Sequence, residues 1–189
     1  LKDINPIKIQ QDKIILQKVK NVQQWRSQSK RKNTRELADT PTLFAEIRQP
    51  QTNYLVIPTI CSEKRKYIPM MYLTPNIIAS NQLYVIPNAT TYDLGILESI
   101  VHMEWMRTVA GRLETRYRYS AKIVYNNFPW PTPTPKQRQK IEETAQAILD
   151  ARAKYPDSSL ADLYDPLTMP ADLLKAHKAN DKAVLKAYN

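Results

Sequence analysis

From Pro129 to Pro135 every second residue is proline. A chain spaced in this way is neither helical nor part of a sheet interior. Each ring fixes φ and removes one backbone donor, so the stretch runs extended. It divides the chain into a larger part over residues 1–130 and a smaller one over 131–189. The second part opens with a helix signal. Thr134 stands at the N-cap, Pro135 at the first helical position, and Gln137 completes a capping box. Ile141, Ala145, Ile148 and Leu149 carry the helical period to about Lys154. Beyond Pro156 the pattern predicts three short helical pieces, 160–164, 170–177 and 181–188, with Thr168 and Pro170 as start signals for the middle one. These pieces hold too little apolar surface to stand alone, so they are expected to pack on the preceding part.

Upstream of the proline stretch the periodicity changes twice. Residues 1–10 read as an extended lead-in, with Pro6 against an early helix. Ile15, Val19, Val22 and Trp25 share one helical stripe over 11–28, and residues 27–34 leave that helix. A short element is expected over 36–44, interrupted by Pro41. Residues 52–88 carry short apolar runs bounded by Pro, Asn and Thr: 54–57, 67–73 and 83–86. Residues 93–110 return to a helical period, with Asp93 at or near the cap and Gly111 as a C′ residue. Residues 121–125 read as one more strand. The fold class expected is α+β: a small mixed, mostly antiparallel sheet flanked by helices, followed by a short helical C-terminal segment. With 42% hydrophobic residues the chain has enough apolar material for a real core.

The composition excludes several classes. One cysteine, Cys61, allows no internal disulfide, and two isolated glycines, Gly95 and Gly111, form no phosphate-cradling loop. No apolar run is long enough to span a membrane. The chain opens on Leu1 without a signal stretch, which reads as part of a longer protein. The net charge is +10, and it is concentrated: residues 1–35 hold ten Lys/Arg against two Asp. Smaller basic clusters lie at Lys64, Arg65 and Lys66, and at Arg112, Arg116, Arg118 and Lys122. A polyanion is the partner that such a distribution suits, the alternative being a solvated face that only keeps the chain in solution.

No catalytic constellation emerges. Cys61, His102 and His177 have no neighbours in sequence that would make a nucleophile and base, and a buried cysteine and hydrogen-bonded structural histidines are the expected roles. Glu98, Glu104 and Glu114 form no recognised acid/base pair. Asn126-Asn127-Phe128-Pro129-Trp130 is superficially close to the Asn-Pro-Pro-Tyr loop of amino-methyltransferases, but its spacing is wrong, and it reads as a rigid joint. Lys30, Arg31, Lys32 and Arg35, together with Lys64, Arg65 and Lys66, are candidate phosphate contacts. Ser62 to Lys66 is expected at a hairpin tip. Glu114 and Arg116, two apart, would share one face of an extended segment. A carboxylate accepts from cytosine N4 and a guanidinium grips guanine O6 and N7, so the pair suits a C·G base pair; the alternative is that the two merely pair with each other. Tyr117 and Tyr119 are expected as buried anchors on the opposite face. A metal-dependent nuclease fragment and a protein-interaction scaffold are the competing functional classes. The first lacks any acidic metal motif, and the second predicts an apolar patch in place of a basic one.

Longer motifs point to a family. They are residues 29–38 (SKRKNTRELA), 62–69 (SEKRKYIP), 78–83 (IASNQL), 95–99 (GILES), 102–106 (HMEWM), 111–113 (GRL), 116–120 (RYRYS) and 124–131 (VYNNFPWP). Over nearly its whole length the chain resembles the C-terminal part of the MmeI-like DNA adenine-N6 methyltransferases of Type IIG (Type IIL) restriction-modification systems. The resemblance implies a target recognition domain over 1–130 and a helical C-terminal segment over 131–189, non-catalytic in themselves. It also implies double-stranded DNA and an upstream methyltransferase domain of the same polypeptide as partners, and a cytoplasmic location. S-adenosylmethionine would serve the parent protein and no cofactor this segment. Gln82, Glu114, Arg116 and Arg118 match positions at which the family reads bases. Neither the DNA target, nor the oligomeric state, nor any nuclease activity of the parent follows from the residues.

Overall fold

Asn5 and Asp12 start the first two helices of a computed structural model that describes Leu1 and residues 4–189. The chain divides into two units, Leu1–Arg48 and Gln49–Asn189. In the first, the Asn5 side chain accepts from the Ile7 amide to begin α1 (Pro6–Gln11), and Asp12 accepts from Ile14 and Ile15 to begin α2 (Lys13–Ser27). Pro6 therefore initiates a helix where an extended lead-in was expected, because the first helical position needs no amide donor. Residues 2 and 3 of that expected lead-in lie outside the described residues. A five-residue helix α3 (Lys32–Glu36) and a 3₁₀ turn (Leu37–Asp39) follow, so the short element begins earlier than expected and ends before Pro41. The Arg26 guanidinium ties the unit together by donating to the carbonyls of Leu37, Thr40 and Leu43, each at 2.9 Å. Of the stripe predicted for α2, Ile15 and Val19 are half-buried while Val22 and Trp25 are exposed.

The second unit holds two three-stranded antiparallel sheets in place of the single sheet expected. One has the order β3–β1–β4, from β1 (Tyr54–Pro58), β3 (Met71–Leu73) and β4 (Leu83–Pro87); the other has the order β2–β6–β5, from β2 (Ile60–Cys61), β5 (Gly111–Leu113) and β6 (Arg116–Arg118). The chain passes from one sheet to the other at Thr59, directly after Pro58, which has no donor to extend a ladder. The run over 67–73 yields only β3. Tyr67, Ile68 and Met70 are buried, but the Met70 amide donates to a Glu98 carboxylate oxygen at 2.7 Å and finds its partner there, outside any ladder.

The helix expected over 93–110 is two, α4 (Thr91–Leu97) and α5 (Ile100–Val109). Thr90 caps the first with Asp93 completing the capping box, and Ser99 caps the second. Gly111 follows the cap residue Ala110 but has no positive φ; it enters β5, so it is not a left-handed C′ glycine. Residues 121–125 form a π-helical turn where a strand was expected. Ser120 caps it, and the Trp105 indole donates to the Val124 carbonyl at 2.8 Å. Helix α6 (Pro135–Ala153) starts with the capping box read from the sequence, and α7 spans Leu160–Leu163. The last two predicted pieces join into one helix, α8 (Ala171–Ala187), since Lys178-Ala179-Asn180 contains no breaker.

These helices share their core with the sheets. Leu55, Ile57, Ile68, Leu94, Met103, Met106, Tyr117 and Tyr119 pack in one cluster, and Ile96, Phe128, Ile141 and Val184 in another. At Gly95 the approach is closest: a Cβ there would stand 2.7 Å from Ile141 Cγ2 and 3.1 Å from Asn180 Oδ1, and the Asn180 amide donates to the Gly95 carbonyl at 2.7 Å. Helices α6 and α8 thus pack on α4.

Candidate nucleic-acid interface

The β5–β6 hairpin presents three of the four candidate base-reading residues, Glu114, Arg116 and Arg118. Its register pairs Gly111 with Arg118, Arg112 with Tyr117 and Leu113 with Arg116, leaving Glu114 and Thr115 as a two-residue turn. Alternation along β6 puts Tyr117 in the core and both Arg116 and Arg118 on the exposed face. Tyr119 is buried as well, so both tyrosines are anchors. Glu114 is not in an extended segment. It takes φ 56° at the first turn position, where glycine is the usual occupant, and reaches Arg116 with a carboxylate-to-guanidinium distance of 2.7 Å. Left-handed backbone in a residue with a Cβ costs roughly 1–2 kcal/mol. The exposed ion pair between Glu114 and Arg116, with both groups open to solvent, is the outcome at the hairpin tip.

Thr59 links Gln82 to Tyr119, the residue after Arg118. The Thr59 amide donates to the Gln82 carbonyl at 2.9 Å, its hydroxyl donates to Gln82 Oε1 at 3.3 Å, and its carbonyl accepts from the Tyr119 amide at 2.9 Å. The turn after β2 lies beside the hairpin turn rather than at a hairpin tip of its own, because β2 and β3 belong to different sheets. Its basic residues diverge. Lys64 is exposed; the Arg65 guanidinium turns back toward Cys61, and the Arg65 carbonyl accepts from Arg107 at 3.2 Å; Lys66 lies over the Tyr67 ring at 5.9 Å from its centroid. Lys30, Arg31, Lys32 and Arg35 belong to the first unit and are exposed there. Arg35 donates to the carbonyls of Ser29 and Lys30, and Lys32 lies 3.9 Å from Glu36.

The buried ionisable groups serve the core. Burial pushes the Cys61 thiol up to about 11, so it is a thiol and not a nucleophile at neutral pH. His102 Nδ1 donates to the Leu97 carbonyl at 2.7 Å, which leaves Nε2 to accept from the Tyr119 hydroxyl at 3.0 Å; burial holds its pKa down at about 4. His177 accepts from Tyr164 at 2.7 Å, stacks on Tyr67, and is held at about 3, again mainly by burial. Among the described residues no group of three His, Cys, Asp or Glu side chains is placed to hold a metal ion, and no helix is long and apolar enough to cross a membrane. Neither glycine offers a cofactor cradle, since the space over Gly95 is filled by Ile141, Ala145 and Asn180, and Gly111 lies in a strand.

Sequence reasoning missed three participants: Thr59, which joins Gln82 to β6; Glu63, which faces Thr115; and the splinting role of Arg112 described below. The Pro58-Thr59 step between two apolar runs was the one available signal for the first.

The scaffold has most of its buried ionisable groups tied up in packing and displays one charged pair, Glu114 and Arg116, on a hairpin tip. The sequence matches the family model of the MmeI target recognition domain over residues 1–132 and that of the MmeI C-terminal domain over 133–189. The chain belongs to the MmeI family. It is 41% identical over 181 residues to DNA methyltransferase A of Bacillus subtilis (strain 168), covering 96% of this chain and 20% of that protein. Its fold matches the structure of the Type IIL restriction-modification enzyme MmeI in complex with DNA, with a TM-score of 0.93 and 50% identity over 98% of this chain and 25% of the other. The chain therefore spans a fifth to a quarter of the length of these relatives.

Proposed function

We propose that the chain reads a specific sequence in double-stranded DNA for an adenine-N6 methyltransferase of a restriction-modification system. Residues 1–130 act as the target recognition domain and 131–189 as the helical segment that completes its core. The methyltransferase domain of the same polypeptide, with its S-adenosylmethionine, supplies the chemistry, and this chain's own residues supply position and choice. The work takes place in the cytoplasm, where cellular DNA is met.

Base edges are read in the major groove by Gln82, Glu114, Arg116 and Arg118. Phosphates are held by Lys30, Arg31, Lys32 and Arg35 and, from the second unit, by Lys64, Arg65 and Lys66. The observation that carries this reading is Glu114. Glycine would make the same turn without strain, and the glutamate there sets a carboxylate at the hairpin tip at a backbone cost, the mark of a functional position. Beside Arg116 it forms an acceptor and a donor fork matched to the two halves of a C·G pair. In free protein the two groups satisfy each other, and on DNA they exchange that contact for base edges.

The test is selection by the 189-residue chain from a random duplex library, with affinity followed from 50 to 200 mM salt. Enrichment of one motif and a linear fall of log affinity with log salt are expected. Binding without enrichment at any salt would reject sequence reading.

A further inference from the structure

We propose that Arg112 is a positioning residue of the base-reading hairpin. It braces the turn that presents Glu114 and Arg116, and it makes no contact with nucleic acid itself. The proposal rests on the reading of the hairpin given above. By charge alone Arg112 groups with Arg116 and Arg118 as one basic cluster. The pleat separates them: Arg112 is opposite Tyr117, so these two share a face, while Arg116 and Arg118 point the other way. On its own face the Arg112 guanidinium does two things at once. Its carbon sits 3.8 Å above the centroid of the Tyr117 ring, and Nη1 donates to the Thr115 carbonyl at 2.9 Å.

The hairpin needs such a brace. It has three residue pairs, and its turn begins with a glutamate in left-handed backbone. β2 supports β6 only at Tyr117 and Arg118, so the turn end of the hairpin beyond them is a two-stranded ribbon, marginal without side-chain support. Arg112 ties the second turn residue back to a buried aromatic and so fixes where the first one points. The turn after β2 brings Glu63 to the same place. The Glu63 carboxylate lies below the usual carboxylate range, first through its own backbone amide, and further through the Thr115 hydroxyl, Lys64 and Arg112. A planar guanidinium both stacks and donates in a fixed direction; an ammonium does not reproduce that geometry.

This separates bracing from phosphate binding. The full 189-residue chain is compared with Arg112→Lys and Arg112→Met. Amide exchange at residues 113–117 is measured without DNA, and motif enrichment and salt dependence are measured with it. If Arg112 positions the turn, both variants exchange faster at those amides. Both also lose about tenfold in discrimination at the base pair read by Glu114 and Arg116, while nonspecific affinity and salt slope stay as in the parent chain. If Arg112 contacts phosphate, Arg112→Lys behaves as the parent, and Arg112→Met weakens on every duplex with a salt slope smaller by about one, which overturns the proposal. Faster exchange with discrimination intact also overturns it, leaving a purely structural arginine. A parent chain that enriches no motif removes the reading on which the proposal rests, and the positioning role with it.

Discussion

Two glutamate–arginine pairs in the second unit have the same chemistry and opposite settings. Arg152 meets both Glu98 oxygens at 2.5 and 2.6 Å with side-chain exposures of 9% and 0%, whereas Arg116 meets Glu114 at exposures of 45% and 75%. The inner pair is woven into everything around it. Glu98 also accepts from the Met70 amide, and Arg152 also donates to the Met70 carbonyl and to Tyr164, which donates onward to His177. One cluster so joins the β2–β3 loop, the α4–α5 break and helices α6, α7 and α8. Among the described residues the side chains of the outer pair bond only to each other. Where water is excluded, ion pairing fixes one arrangement; where water remains, the same groups are exchangeable and free to meet a ligand.

The comparison breaks most visibly at its buried side. Arg152→Met leaves Glu98 without its counter-charge, and a loss of about 3–5 kcal/mol is expected in urea unfolding of the chain, with partial recovery on adding Glu98→Gln. Gly95→Ala attacks the same region sterically, since its Cβ would meet Ile141 and Asn180, and should cost about 2–3 kcal/mol by the same measurement.

Acid sharpens the contrast. His102 and His177 are held at about 4 and about 3, so below the ordinary histidine value of about 6.5 the unfolded chain takes protons that the folded chain refuses. Stability therefore falls as pH drops through that window, by roughly 2 kcal/mol per histidine at pH 5. Glu98 and Asp181, both raised by burial, bind protons earlier when folded and oppose the trend above the ordinary carboxylate range. His177→Gln keeps an acceptor for Tyr164 and should flatten the pH profile of thermal unfolding. At the exposed side, Glu114→Gln should move stability by no more than about 0.5 kcal/mol in the same assay.

How much of this was legible depended on whether the cause was local. Helix α6 was readable from Thr134 to Lys154 because Thr134, Pro135 and Gln137 build its start among themselves. The break at Glu98 was not, because the carboxylate is drawn inward by Arg152, 54 positions away. Residues 121–125 have strand-like composition, and the Ser120 cap and the Trp105 indole hold them in a π-turn instead. The hairpin turn lacks Gly, Asn and Pro, so the sequence of Leu113-Glu114-Thr115-Arg116 predicts an extended segment; it gives Glu114 its neighbour Arg116 but not the turn that brings them together. The division into two sheets hinged on Thr59, whose partners Gln82 and Tyr119 lie far along the chain. The boundary expected at 130/131 follows the proline stretch, while the division into units falls at Arg48 and keeps the C-terminal helices with the sheets.

The double exchange Glu114→Arg with Arg116→Glu reverses donor and acceptor at the hairpin tip, at similar backbone cost, since both side chains carry a Cβ. Selected against a random duplex library beside the parent chain, it should change the preferred base pair at one position and leave the rest of the motif, and the affinity for nonspecific duplex, as they were. A uniform loss across all sequences, with no position altered, would contradict base reading by this pair.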